Sequence, residues 1–255
     1  MSCILFEGRS LIGKVPFGAT REVLRVRNCC LCLERCSWDF ATNREAEISA
    51  HWGRRKAENP DFFNGGILVM QSPRIESGTF FAELIQTDFK SYLFWRESGF
   101  PEAGVFDGFG AALIRSADGA VLLGRQGAGN INSGLAYLPG GFIDPRDVRE
   151  DGSVSIDESI ARELVEETGL NAEELRRRPG YYVTVFGAKI SIAVEYCSAL
   201  PADALRRTML NRIATQDDPE LEDIVAVSER DLMSSSAMAD YVQMLLPAVF
   251  SAPGD

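Results

Sequence analysis

Four residues in the stretch Ala161 to Leu170 could carry metal-assisted chemistry: Arg162, Glu163, Glu166 and Glu167 fall within six consecutive positions of this 255-residue chain. If the stretch is helical, the three glutamates lie three and four residues apart and share a face, while Leu164 and Leu170 turn aside toward a core. Carboxylates held that closely raise one another's pKa and weaken the helix by about 0.2–0.5 kcal/mol per pair. A hard divalent cation relieves the repulsion, since Mg2+ takes oxygen ligands and is commonly held by one or two carboxylates together with substrate phosphates. Arg162, one turn before Glu166, is placed to pair with it and fix its rotamer. On helix chemistry alone, a solvated acidic face with ordinary i,i+4 pairing is an equal reading.

The surrounding elements favour the chemical reading. Ser155-Ile156-Asp157-Glu158 has the form of a capping box that starts a helix, and Gly169 suits its C-terminal end. Upstream, Gly108 to Ile114 and Ala120 to Arg125 read as two strands around a Ser-Ala-Asp-Gly turn, followed by the loop Leu138-Pro139-Gly140-Gly141. The order is strand, hairpin, glycine loop, acidic helix.

That segment resembles the Nudix hydrolase family, whose signature is Gly-x5-Glu-x7-Arg-Glu-(apolar)-x-Glu-Glu-x-Gly-(apolar). Arg162, Glu163, Leu164, Glu166, Glu167, Gly169 and Leu170 match its second half in full. The first half departs: Val154 stands at the position of the first signature glutamate, and the loop from Gly141 is about seven residues longer than the signature allows. Asp144, Glu150 and Asp151 are the carboxylates considered to stand in. The resemblance implies an α+β Nudix fold, a mixed β-sheet sandwiched between helices, and Mg2+- or Mn2+-dependent attack of water on a diphosphate. It also implies that Glu163, Glu166 and Glu167 are metal ligands, that Arg162 orients them, and that Gly140 and Gly141 lie against substrate.

Further upstream, Trp52, Arg55, Asn59-Pro60 and Phe63-Asn64-Gly65, then Gly66 to Met70 and Thr87 to Tyr92, resemble the branch of that family acting on nucleoside diphosphate sugars. Its members cleave UDP-glucose or GDP-mannose type substrates to a nucleoside monophosphate and a sugar 1-phosphate, and they too have a long insertion in the box. The resemblance implies substrate contacts for Trp52 or Phe63 by stacking, for Arg54 or Arg55 at phosphate, and for Asn64. Since Asn-Pro ends a helix and Asn-Gly makes a turn, a plain helix-to-strand connector is an equal reading. Two other activities stay open: hydrolysis of another nucleoside diphosphate derivative such as ADP-ribose or a dinucleotide, and a catalytically silent nucleotide-binding regulator. Retention of three box glutamates weighs against silence.

Composition agrees with a compact enzyme. A chain that is 45% apolar can bury one large core, or one core plus a smaller domain. A net charge of −11 argues against a nucleic-acid polymer as partner, yet suits a small nucleotide held through a metal. No run approaches 18 uninterrupted apolar residues, and Met1 to Glu7 lacks a signal peptide's basic start, so no membrane and a cytoplasmic location are expected. A homodimer is kept open.

Five of the six cysteines, Cys3, Cys29, Cys30, Cys32 and Cys36, lie near the N-terminus. Cys29 and Cys32 have the spacing of half a zinc site, but Val23 to Glu34 reads better as one long strand with buried thiols. His51, the single histidine, reads as a surface or cap residue, and hydrolysis by metal-bound water needs none. After the box, Tyr181 to Phe186 and Ile190 to Tyr196 read as paired strands, Ala202 to Ile213 as a helix, Ile224 to Val227 as a strand, and Tyr241 to Phe250 as a helix interrupted by Pro247. In the acidic loop 217–223, Glu220 and Glu222 are candidates for a further ligand or general base, an exposed loop being the equal alternative. Gly and Pro concentrate over 97–104, which predicts a strand-rich region 1–100 with a helix near 43–58, serving substrate binding or extending the catalytic sheet, and a Nudix domain over 101–255.

Overall fold

A computed structural model describes residues 21–102, 104–127, 134–234 and 237–252. Cys3 and the segment Met1 to Glu7 lie outside them. In chain order, β1 (Arg21–Val26) and β2 (Asn28–Glu34) lead into α1 (Asp39–Asn43) and α2 (Glu45–Glu58), and β3 (Gly66–Glu76) and β4 (Thr79–Asp88) form a hairpin before α3 (Phe89–Glu97). Next come β5 (Val105–Arg115), β6 (Val121–Gln126), the short β7 (Ala136–Tyr137), β8 (Gly140–Phe142) and β9 (Ser153–Val154), and then α4 (Ile156–Thr168). There follow β10 (Arg176–Arg177), β11 (Tyr181–Phe186), β12 (Lys189–Cys197), α5 (Ala202–Ile213), β13 (Leu221–Val227) and α6 (Asp240–Ser251).

These strands join in one mixed sheet whose main path runs β1-β11-β12-β5-β3-β4-β2-β9. β12 lies parallel to β5 and β2 parallel to β4, while β1–β11, β11–β12, β3–β4 and β3–β5 are antiparallel. With helices packed against the sheet, the α+β expectation holds. The N-terminal strands extend the catalytic sheet: β3 meets β5 at Met70↔Phe106 and Gln71↔Val105, and β2 meets β9 at Leu31↔Val154. Val154, the residue at the box-glutamate position, is therefore a buried strand partner.

The acidic helix α4 is anchored by its other face. Ile156, Ile160 and Leu164 are buried in the main core, with Ile156 and Ile160 lying against β5 at Gly110. Each such side chain contributes about 1.5–3 kcal/mol, which outweighs the tenths of a kcal/mol lost between neighbouring carboxylates. Ser155 Oγ accepts from Glu158 N at 3.3 Å, but the return bond of a full capping box is replaced: Ser155 N donates to Asp147 O at 3.0 Å, and Glu158 pairs with Arg149 at 2.6 Å. Gly169 ends the helix with φ +70°, a conformation that penalises any side chain.

Four local readings are corrected. The strand expected over 23–34 breaks at Arg27, whose N donates to Gly78 O at 2.7 Å, and its halves take different partners. Within β2 it is Leu31 that faces the core, leaving Cys30 exposed and Cys29 and Cys32 half-buried. His51 is buried, its Nε2 lying 2.7 Å from Glu97 Oε2 and its ring edge-on to Phe94. Pro247 lies within α6 without interrupting it, because Leu245, Leu246 and Val249 are packed in the core on both sides of the missing N–H.

Candidate active site

α4, β8 and the loop before β13 bring the acidic residues to one end of a cleft of about 1570 Å³. β8 pairs Gly140 with Ala111 and Gly141 with Gly110. Both glycines are required by their neighbours: a Cβ on Gly140 would sit 2.2 Å from Gly110 O, and one on Gly141 would sit 2.6 Å from Glu163 Oε2. Glu163 thus stands directly over the glycine loop, as the order of motifs implies.

Glu167, 2% exposed, is held at both oxygens: Gly140 N donates to Oε2 at 3.1 Å and Tyr137 OH to Oε1 at 3.2 Å. Burial, followed by the charges of Glu220 and Glu163, nevertheless pushes its carboxyl well above the usual range. Burial likewise pushes Glu163 up to about 7, with Arg162 opposing and Glu166 and Glu220 adding to the rise. Glu220 is raised by desolvation at the cleft wall and then by Glu166 and Asp218. Glu166, its side chain about half exposed, lies 3.7 Å from Arg162 Nη1 and 3.9 Å from Arg146 Nη1.

Arg162 ties this cluster to the preceding loop. Its Nη1 donates to Glu163 Oε1 at 2.6 Å, and its Nη2 donates to both oxygens of Asp147, at 2.9 and 3.0 Å. Asp147 is 3% exposed and also accepts from Asp144 N at 3.0 Å, across the short 3₁₀ turn Pro145–Asp147. The carboxylate that faces Arg162 is therefore Asp147, which sequence reading did not single out. Asp144 is 3.6 Å away and mainly holds Arg146, Asp151 bonds Ser153, and Glu150 is exposed. A signal for Asp147 was present in Asp144-Pro145-Arg146-Asp147, which has the N-cap, first-turn proline and acidic third position of a helix start.

The other expected residues divide. Phe63, 81% exposed, lies on the cleft rim, and Glu222 lies exposed at its lip, with Oε2 near Gly127. Of the two acidic-loop candidates, Glu220 is the one whose charge reaches Glu163 and Glu167. Trp52, Arg55 and Asn64 are not brought to the cleft wall. Trp52 stacks on Phe62 at 6.3 Å and meets Phe89 edge-on at 6.2 Å; Arg55 pairs with Glu58 and, at 3.1 Å, with Glu97. Asn64 bonds Asp88 and caps Lys90 N. Arg54 is exposed on α2.

Among the described residues no three His, Cys, Asp or Glu side chains close into a ready-made metal cage. An open arc of carboxylates with raised pKa values still fits a hard cation that keeps most of its coordination for water and phosphate.

Residues 106–244 match the model of the NUDIX domain family. The chain belongs to the Nudix family. The Nudix span begins within β5 and ends within α6, taking in the glycine loop, α4 and the acidic loop before β13. Its membership makes the protein a hydrolase of pyrophosphate bonds in nucleoside diphosphate derivatives, a class that in general uses divalent metals. Similar solved structures include the MutT protein of Methanosarcina mazei Go1, 21% identical with TM-score 0.37 over 56% of this chain and 92% of that one. The Nudix hydrolase RenU of M. smegmatis is 19% identical, with TM-score 0.40 over 60% of this chain and 96% of that one. A bifunctional NMN adenylyltransferase/ADP ribose pyrophosphatase of Francisella tularensis is 18% identical, with TM-score 0.46 over 64% and 46% respectively. No curated protein matches the chain.

Proposed function

We propose that this Nudix hydrolase cleaves the diphosphate linkage of a nucleoside diphosphate sugar to a nucleoside monophosphate and a sugar 1-phosphate, using Mg2+ or Mn2+ held by Glu163, Glu166 and Glu167. The observation that carries the reading is the convergence of Glu163, Glu166, Glu167 and Glu220 on one cleft, where burial and neighbouring charge raise the carboxyls of Glu163, Glu167 and Glu220. The cation, when bound, neutralises phosphate charge and activates the attacking water.

The chain's own groups do the positioning. Arg162 fixes Glu163 and is itself fixed by Asp147; Gly140 N and Tyr137 OH fix Glu167. Gly140 and Gly141 leave the backbone bare of side chains where phosphate oxygens approach. Glu220 is the general base we favour for the water, and Phe63 offers a ring at the rim for stacking on a base. The clasp from Asp147 holds Arg162 without a carboxylate at position 154, which favours an active enzyme over a silent regulator. The cleft also exceeds the roughly 300–1,000 Å³ typical of sites for a single drug-sized ligand, which suits a two-part substrate. A small nucleotide partner and a cytoplasmic setting go with this reading.

Chromatography of products after incubation with Mg2+ and UDP-glucose, UDP-galactose, GDP-mannose, ADP-ribose, NADH or diadenosine polyphosphates tests it. Release of a nucleoside monophosphate plus sugar 1-phosphate from a nucleotide sugar is expected. Turnover confined to the other diphosphates would discard the sugar substrate, and no turnover with either Mg2+ or Mn2+ would overturn the reading.

A further inference from the structure

Away from the glutamates the cleft changes sign. Asp107 and Lys189 are register partners on the parallel neighbours β5 and β12. Tyr92 and Arg96, one turn apart on α3, line the cleft with them. Along β5, Asp107 lies three residues from Gly110, the partner of Gly141 over which Glu163 stands. At about 3.3 Å per residue that is on the order of 10 Å.

Two cations, Lys189 and Arg96, face one close acid. Asp107, 5% exposed, accepts from Tyr92 OH at 2.8 Å; burial raises its carboxyl, with Lys189 and Arg96 opposing, and burial also lowers Lys189, with Asp107 opposing. The remaining nearby acid, Asp240, lies 3.9 Å from Arg21. Among the described residues, no carboxylate stands within ion-pair distance of Lys189 Nζ or of Arg96. Lys189 Nζ instead rests 5.8 Å and 5.9 Å from the ring centres of Phe100 and Phe186, which also line the cleft. Rings at such a site exclude water and strengthen any charge-assisted bond made there.

We propose that Lys189 and Arg96 bind a second anionic group of the substrate, about 10 Å from the cleaved linkage, so that the enzyme prefers a nucleoside diphosphate derivative whose outer moiety is acidic. The anion is a carboxylate on the sugar or an additional phosphate; a guanidinium and an ammonium accept either. This rests on the hydrolase reading above and adds the substrate class.

The test compares kcat/KM with Mg2+ within matched pairs: UDP-glucuronic acid against UDP-glucose, and NADPH against NADH. In wild type one acidic member should exceed its neutral counterpart about tenfold, and Lys189→Gln and Arg96→Gln should each erase most of that ratio, chiefly through KM. The first pair discriminating points to a carboxylate, the second to a phosphate. Ratios near one in wild type, or ratios unchanged in both variants, overturn the subsite while leaving the hydrolase intact. If no pair is hydrolysed, the hydrolase reading fails separately, and calorimetric binding of UDP-glucuronic acid and NADPH with Ca2+ decides. Tighter binding than the neutral counterparts, lost in Lys189→Gln, sustains the subsite; equal binding overturns it.

Discussion

Arg162 spends one arm of its guanidinium on Glu163 and the other on Asp147, so a residue outside the box spacing controls one inside it. Groups that orient metal ligands typically cost about 10- to 100-fold when removed, and Asp147→Asn should lower kcat by that range with KM little changed. Steady-state kinetics alongside a melting curve reads this, and activity within twofold of wild type would contradict it. The box glutamates were legible because helical spacing fixes them; Asp147 was not, because the long loop destroys any fixed spacing to α4. Trp52 and Arg55 show the opposite difficulty, since residue type alone cannot say whether a ring or guanidinium meets substrate or, as here, Phe62 and Glu97. Asp107 carries a pH prediction. Its folded pKa is raised above the ordinary 3.8, so the site's contribution to stability is present below that value and lost as pH rises through the folded pKa. Asp107→Asn is free of that loss, and its melting temperature relative to wild type should increase from pH 4 to pH 7. A difference constant over that range would contradict the assignment.

Elements carry the glutamates to the cleft only because β8 lies flat against β5. Gly141→Ala would place a Cβ 2.6 Å from Glu163 Oε2, and the carboxylate must swing aside. Misplacing a catalytic group by about 1 Å can cost on the order of 100-fold. We expect Gly141→Ala to fold while losing at least tenfold in kcat, measured beside its circular dichroism spectrum; unchanged kcat would mean that Glu163's position over the loop is unimportant. Elements with strong local patterns were readable from sequence: β11 and α5 fall at the expected bounds, and α2 nearly so. Features set by distant partners were not. Nothing near Arg27 announces that Gly78 will take its N–H, and nothing near Pro247 announces the core on which α6 continues through it.

At the scale of the whole molecule, a glycine- and proline-rich connector separates two stretches of sequence that share one sheet. β3 joins β5, β1 joins β11 and β2 joins β9, so the fold class was legible whereas the union of its two parts depended on strand pairings made far apart in the chain. The consequence is a cleft lined by both stretches, with the box glutamates at one place, Arg96 and Lys189 at another, and Phe63 of the N-terminal part at its rim. In the proposed reaction the box glutamates act through a divalent cation. The most direct measurement is calorimetric titration of Mn2+ into wild type and Glu167→Gln, paired with UDP-glucose hydrolysis by the same samples with and without excess chelator. We predict one Mn2+ site in wild type, weakened at least tenfold in the variant, with hydrolysis abolished by chelator and down by about 100-fold or more in Glu167→Gln. Equal Mn2+ affinity in the two proteins, or hydrolysis that survives the chelator, would contradict it.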